Sequence, residues 1–262
     1  MSTLTVAAVQ ADIQWLDKTA NFAALEALIV AYFRDHDALD LLLLPETFST
    51  GFCTHDPMVK EPADGGDDLV WLKHMAAQHH CVMAGTVLVA AGDKKANRFY
   101  WVRPDGRVEF YDKRHLFRLG NEGDYVAQGM DRKVFEINGF RILPQVCYDL
   151  RFPVFSRNRQ DYDLLVNVAN WPAARRHVWD TLLKARAMEN QAYVIGVNRV
   201  GSDGSGVAHS GGTCVLDFVG EPMVAASDNQ VQIISTTLDI AKLDQFKQSF
   251  PAYLDADEFE LK

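Results

Sequence analysis

Phe140-Arg141-Ile142-Leu143-Pro144-Gln145-Val146-Cys147-Tyr148-Asp149-Leu150-Arg151-Phe152-Pro153 is a short, mostly apolar run that breaks at Cys147. It reads as a buried strand that stops where polar Tyr148-Asp149 and then Pro153 turn the chain. That reading places a thiol at the carboxyl end of a strand, the edge of an open α/β sheet where loops gather ligands and reacting groups. A cysteine in an apolar segment also serves as a small core hydrophobe, so position alone leaves both uses open.

Working outward, Leu4 to Gln10 reads as a strand and Lys18 to Arg34 as a helix, with Phe22, Leu25, Leu28, Ile29 and Tyr32 at helical spacing. Leu41-Leu42-Leu43-Leu44 follows, a continuous apolar run that suits a central strand buried on both faces. The three segments predict a βαβ unit with a parallel pair, and Pro45-Glu46 then falls at a second strand end. Residues 56 to 67, rich in Pro, Gly and Asp, predict a loop, followed by a helix over 68–78 and a strand over 82–89.

Strand-like runs at 98–103 and 107–113 flank Pro104-Asp105-Gly106, a turn in which proline presets φ and glycine accepts φ > 0. The second arm delivers Lys113 at its end. Runs at 133–137 and 140–146 flank Asn138-Gly139, the strongest short hairpin signal. Residues 152–159 look helical, 164–169 read as a buried strand ended by Asn170-Trp171-Pro172, and a helix over 175–191 and a strand over 193–197 complete another βαβ pattern. The recurrence of one plan in both halves points to a pseudo-symmetric architecture. Residues 201–212 read as a Gly/Ser-rich loop. Strands follow at 213–218, 223–226 and 231–237, then a last helix with Asp239 as its N-cap. The tail from about 250 mixes Phe250, Tyr253, Leu254, Phe259 and Leu261 with acidic residues, and is expected to fray or to lie across another subunit.

The chain of 262 residues shows no linker that would divide it and is expected to form a single domain over 1–262. Its net charge of −9, with scattered basic residues, argues against a nucleic-acid surface. No apolar run approaches the roughly 20 residues needed to span a bilayer, and the start lacks a secretory pattern. Cys53, Cys81, Cys147 and Cys214 are far apart without paired zinc-type spacing, which leads us to expect reduced thiols, no metal, and a cytoplasmic location.

Three segments in order carry a resemblance: Leu44-Pro45-Glu46 with Phe48, Tyr111-Asp112-Lys113-Arg114-His115-Leu116-Phe117, and Cys147 to Pro153. They resemble the signature segments of the nitrilase (carbon–nitrogen hydrolase) superfamily, and the likeness extends to Asn121-Glu122-Gly123, Asn170-Trp171-Pro172 and Ala185 to Gln191. The resemblance implies an α/β fold, a four-layer αββα sandwich of two mixed sheets flanked by helices, that commonly dimerises. It also implies a Glu46, Lys113 and Cys147 triad supported by Glu122. Within the superfamily the Cys147 and Asn170 segments look most like the bacterial omega-amidase branch, which acts on ω-amides of α-keto acids such as 2-oxoglutaramate. The chain departs from many relatives at Val178, where a histidine is frequent, and at Phe218, where proline is.

Amide hydrolysis needs a strong nucleophile, a proton for departing ammonia and stabilisation of an oxyanion. The implied division of work gives attack to Cys147, proton transfer to Glu46, and the oxyanion to Lys113 with the Tyr148 backbone N–H; Lys113 would also favour the thiolate. Trp171 and Arg175 follow the Asn170 strand end, and Arg175 is the candidate for a substrate carboxylate. No cofactor is required. The expected partner is a small-molecule amide, with self-association into a homodimer or larger homo-oligomer. A papain-like pairing of Cys147 with His115, His177 or His209 is a mechanistic rival, deaminated glutathione a rival substrate, and a non-enzymatic binding module a rival of another class.

Overall fold

The computed structural model describes residues 2–36 and 38–261. In chain order the strands are β1 (Thr3–Gln10), β2 (Leu41–Leu43), β3 (Val82–Ala91), β4 (Lys94–Val102), β5 (Val108–Asp112), β6 (Phe135–Ile137), β7 (Phe140–Val146), β8 (Leu164–Ala169), β9 (Tyr193–Asn198), β10 (Val200–Ser202), β11 (Ala208–Ser210), β12 (Cys214–Leu216), β13 (Pro222–Ala225) and β14 (Gln232–Asp239). The α-helices are α1 (Lys18–Asp35), α2 (Gly66–His79), α3 (Glu122–Tyr125), α4 (Pro153–Ser156), α5 (Arg176–Asn190) and α6 (Ile240–Ser249).

Two six-stranded mixed sheets are present, ordered β14-β1-β2-β3-β4-β5 and β13-β12-β9-β8-β7-β6. Each has three central parallel strands, β1-β2-β3 in one and β7-β8-β9 in the other, with antiparallel strands outside them. The expected two-fold repetition of the βαβ plan is therefore physical. The alternation of side chains along a strand sorts the apolar run 41–44 between two cores. Leu41 and Leu43 meet Ile142, Val166 and Ile195 between the sheets, whereas Leu42 and Leu44 meet Leu25, Ile29, Leu72 and Met75 of α1 and α2. On the far side, Leu143, Leu165 and Val194 pack against Trp179, Leu183 and Ala187 of α5. The layers are helix, sheet, sheet, helix, the expected αββα sandwich.

Most element boundaries lie within two or three residues of expectation, and Asn138 and Gly139 carry the positive φ values, 48° and 80°, that a tight hairpin demands. Two expectations are corrected. The helix expected over 152–159 is only the single turn of α4: the Asn158 side chain ties Asp161 N–H and Tyr162 C=O into a polar loop, and Gln160 turns to φ 59°. The expected loop over 201–212 is a hairpin, with Gly201 opposite His209 in its ladder. The tail is tied to its own chain by Gln191, which donates to Phe250 C=O at 2.7 Å and accepts from Tyr253 N–H at 3.2 Å, and by Leu261 on the inter-sheet core, while Phe250 and Leu254 stay exposed.

Candidate active site

The carboxyl ends of the parallel strands of both sheets converge on one pocket of about 340 Å3, lined by Glu46, Lys113, Cys147, Tyr148, Asn170, Trp171 and Arg175 among others. Glu46 lies three residues beyond β2 and is fully buried. Its Oε1 accepts from Asn97 Nδ2 at 2.8 Å and from Lys113 Nζ at 3.1 Å, and its Oε2 accepts from the Asn170 backbone N–H at 2.8 Å. Asn170 ends β8 of the other sheet and also donates through Nδ2 to the Glu46 carbonyl at 2.8 Å. The carboxylate thus sits where the two sheets meet, with both oxygens held.

Lys113 follows β5, is 1% exposed, and donates to Glu122 Oε1 and Oε2 at 3.0 and 3.1 Å. Burial alone would lower the pKa of this ammonium, but Glu122 and Glu46 outweigh it and hold it above the usual lysine value. Glu122 in turn accepts from the Phe117 backbone N–H at 2.6 Å. Its carboxyl is pushed up by burial and by Glu46, against the pull of Lys113.

Cys147 adopts φ 47° at the end of β7, a left-handed conformation that costs a non-glycine residue energy and persists only where neighbours enforce it. The enforcement comes from Asp149. Its Oδ2 accepts from Val146 N–H at 2.9 Å and Tyr111 OH at 2.8 Å, and its Oδ1 from the backbone N–H and ring Nδ1 of His115 at 2.9 and 2.7 Å. From the helix side, Arg186 of α5 donates to Leu150 C=O at 2.6 Å. Cys147 keeps part of its surface open to the pocket although protein atoms crowd its thiol. Burial and the neighbouring Glu46 and Glu122 carboxylates drive the thiol pKa well up, with Lys113 only partly offsetting them. Lys113 favours the thiolate, but desolvation and two carboxylates outweigh that one cation. Cys147 and Glu46 line the same pocket, and the Glu46 carboxylate is close enough to act on the thiol.

Tyr148 lines the pocket with its ring edge-on to Phe117, 5.3 Å between centroids. Trp171 is buried and donates its indole N–H to Arg175 C=O at 2.9 Å. The Arg175 guanidinium stands over Phe117 at 5.5 Å, and that of Arg151 over Trp171 at 5.1 Å. Among the described residues neither guanidinium has a carboxylate partner, and both line the pocket. Of the three histidines, His115 is committed to Asp149 and stacks on Phe152, and His177 lies at the start of α5 away from the pocket. His209 alone is a pocket wall residue. The sequence offers His209 only as a rival partner for Cys147 and does not single out Asn97, Arg151 or Asp149; the one available signal is for Arg151, four residues after Cys147 in the same tight turn. Among the described residues no group of three or more His, Cys, Asp or Glu side chains is arranged to hold a metal ion, and no helix is long and apolar enough to cross a membrane.

The αββα sandwich, with carboxylate, ammonium and thiol at its joined strand ends, describes a carbon–nitrogen hydrolase. The chain belongs to that family: the carbon–nitrogen hydrolase family model matches residues 5–248. It is 44% identical to "Omega-amidase YafV" of Yersinia enterocolitica over 261 residues, covering 100% of both chains. To "2-oxoglutaramate amidase" of Bacillus subtilis it is 30% identical over 257 residues, 96% of each. Among solved structures, XC1258 from Xanthomonas campestris, described as a CN-hydrolase superfamily protein with an arsenic adduct in the active site, superposes with a TM-score of 0.95 at 41% identity over 100% of both chains.

Proposed function

We propose that the protein hydrolyses the ω-amide of a short 2-oxo dicarboxylate monoamide, of the 2-oxoglutaramate kind, to the acid and ammonia. The observation that carries this reading is a small pocket with Cys147, Glu46 and Lys113 at its floor and two carboxylate-free guanidiniums, Arg151 and Arg175, on its walls. At about 340 Å3 it lies at the lower end of ordinary ligand pockets, roughly 300–1,000 Å3, which suits a small substrate. The names of the full-length relatives favour the same substrate class.

In this mechanism the resting thiol gives its proton to Glu46 as sulfur attacks the amide carbon, since the raised thiol pKa leaves little thiolate. The oxyanion forms beside the Lys113 ammonium, which Glu122 and Glu46 keep charged, and the Tyr148 N–H is its second donor. The C–N bond then breaks, and Glu46 returns the proton to the leaving ammonia. A water next loses its proton to Glu46 and attacks the thioester; the C–S bond breaks and the thiol is restored. Glu122 holds Lys113 in place through both oxygens. Arg175 and Arg151 take the distal carboxylate.

Ammonia release from 2-oxoglutaramate, 2-oxosuccinamate, glutamine, asparagine and a simple nitrile tests the substrate class, with cysteinylglycine release as the readout for deaminated glutathione. The two oxo-amides should lead, and a preference for the nitrile or for deaminated glutathione would overturn the assignment. We also propose a reducing, cytoplasmic home, in keeping with four free cysteines, and a homodimer that covers the exposed Phe250 and Leu254. Light scattering showing a 29.4 kDa monomer at micromolar concentration would contradict the dimer.

A further inference from the structure

The β10–β11 hairpin contributes Asp203, Val207 and His209 to the pocket wall. His209 is 4% exposed, and its Nδ1 is enclosed with no hydrogen-bond partner among the described residues. An enclosed polar atom without a partner is uncommon in a folded protein, and a ligand group is one partner that the ring of a pocket-lining residue such as His209 can take. The surroundings of the ring define what that ligand group is.

β11 packs beside the turn Ala173–Arg175, so His209 and Arg175 share one side of the pocket. Glu46, Cys147, Arg151 and Arg175 line the same pocket as His209, so the ring shares one cavity with the reacting groups and both guanidiniums. With the amide at Cys147 and the far carboxylate at Arg175 and Arg151, the carbon next to that carboxylate passes His209. In a 2-oxo acid that carbon bears a carbonyl, in a 2-amino acid an ammonium, and in the plain diacid monoamide only hydrogens. Burial and Arg199 keep the imidazole neutral, with a pKa of about 4. A neutral ring serves a carbonyl oxygen through its N–H but offers an ammonium no countercharge. Asp203, the pocket carboxylate on the same hairpin, is engaged by its own turn, its Oδ1 accepting from the Ser205 and Val207 N–H groups at 2.9 Å. An ammonium here would meet two guanidiniums instead.

We infer that His209 is a specificity-determining residue that donates a hydrogen bond to the 2-oxo group of the substrate, and so selects 2-oxo amides over their unsubstituted and 2-amino counterparts. The inference rests on the substrate class proposed above. The experiment compares kcat/KM for 2-oxoglutaramate and for glutaramate, which has the same length but no oxo group, in the wild-type chain, His209→Phe and His209→Asn. The ratio within each variant is independent of how much of it folds. His209→Phe should shrink the wild-type preference for the oxo substrate about tenfold, the scale of one lost hydrogen bond, and His209→Asn should restore part of it. In a Cys147→Ala background, calorimetry should show 2-oxoglutarate binding more tightly than glutarate, an advantage lost when His209→Phe is added. An unchanged ratio in His209→Phe overturns the role of His209 while leaving the substrate class standing. A wild-type chain with no preference for 2-oxoglutaramate overturns both.

Discussion

Tyr111 donates its phenol hydrogen to Asp149 Oδ2 at 2.8 Å, joining the last strand of one sheet to the turn that holds Cys147 in the other. Both groups are buried, and burial beside the Asp149 carboxylate drives the phenol's pKa far up, so this donor stays protonated. Tyr111→Phe removes one of the four donors to Asp149. We expect a loss of about 1–3 kcal/mol in unfolding free energy and a lower kcat with little change in KM, because the bond shapes the nucleophile turn and touches no substrate. Urea unfolding beside steady-state kinetics measures both; an unaltered kcat would detach the Tyr111 bond from the geometry of Cys147.

Cys147→Ala should abolish turnover. Iodoacetamide should label Cys147 first among the four thiols, because Cys53 and Cys81 are buried and burial holds Cys81 and Cys214 at pKa values of about 12, while Cys147 has both an open pocket and a proton acceptor at hand. Glu46→Gln should slow that labelling sharply. Peptide mass spectrometry giving equal rates for all four cysteines would remove Cys147 from the mechanism.

Lys113→Met leaves Glu46 and Glu122 facing each other in a dry site without their shared cation. The expected cost is about 3–5 kcal/mol of stability, on top of lost activity. Glu122→Gln keeps the ammonium paired with Glu46 and should be milder in stability. If thermal unfolding ranks the two variants the other way, Glu122 has a larger structural part than its contacts imply.

His209 also predicts a pH dependence of stability. Burial, reinforced by Arg199, holds its folded pKa near 4, against opposing contributions from Asp203, the Val207 carbonyl and Glu46, whereas an unfolded histidine titrates near 6.5. The unfolded chain therefore takes up the proton first as pH falls. This contribution is present in full above about 6.5 and is lost progressively down to about 4, amounting to about 3 kcal/mol at most. Denaturant unfolding across that window should show the wild type losing more stability than His209→Phe; parallel curves would mean that the ring is solvated in the folded state.

Much of this architecture was legible in local pattern. The four leucines before Pro45-Glu46, the Asn138-Gly139 turn, and the β-branched runs at 164–169 and 193–197 act through chain periodicity and turn sterics, which are properties of neighbouring residues. For the same reason strand ends could be read directly, and with them the positions of Glu46, Lys113 and Cys147. The hairpin at 200–210 was read as a loop because two three-residue strands have too few residues to show alternation, and its pairing is a long-range hydrogen-bonding event.

Charge and enclosure belonged to the tertiary structure alone. The direction of the Cys147 pKa depends on two carboxylates brought from residues 46 and 122 into one buried space, and Coulomb interactions there follow distance through space and not along the chain. Likewise, Arg151, Arg175 and His209 become the walls of one pocket only after β7, β8 and the β10–β11 hairpin have packed together. The sequence by itself determined which residue types stand at the strand ends; the packing of the two sheets decided which of them face each other, and therefore which protons they hold.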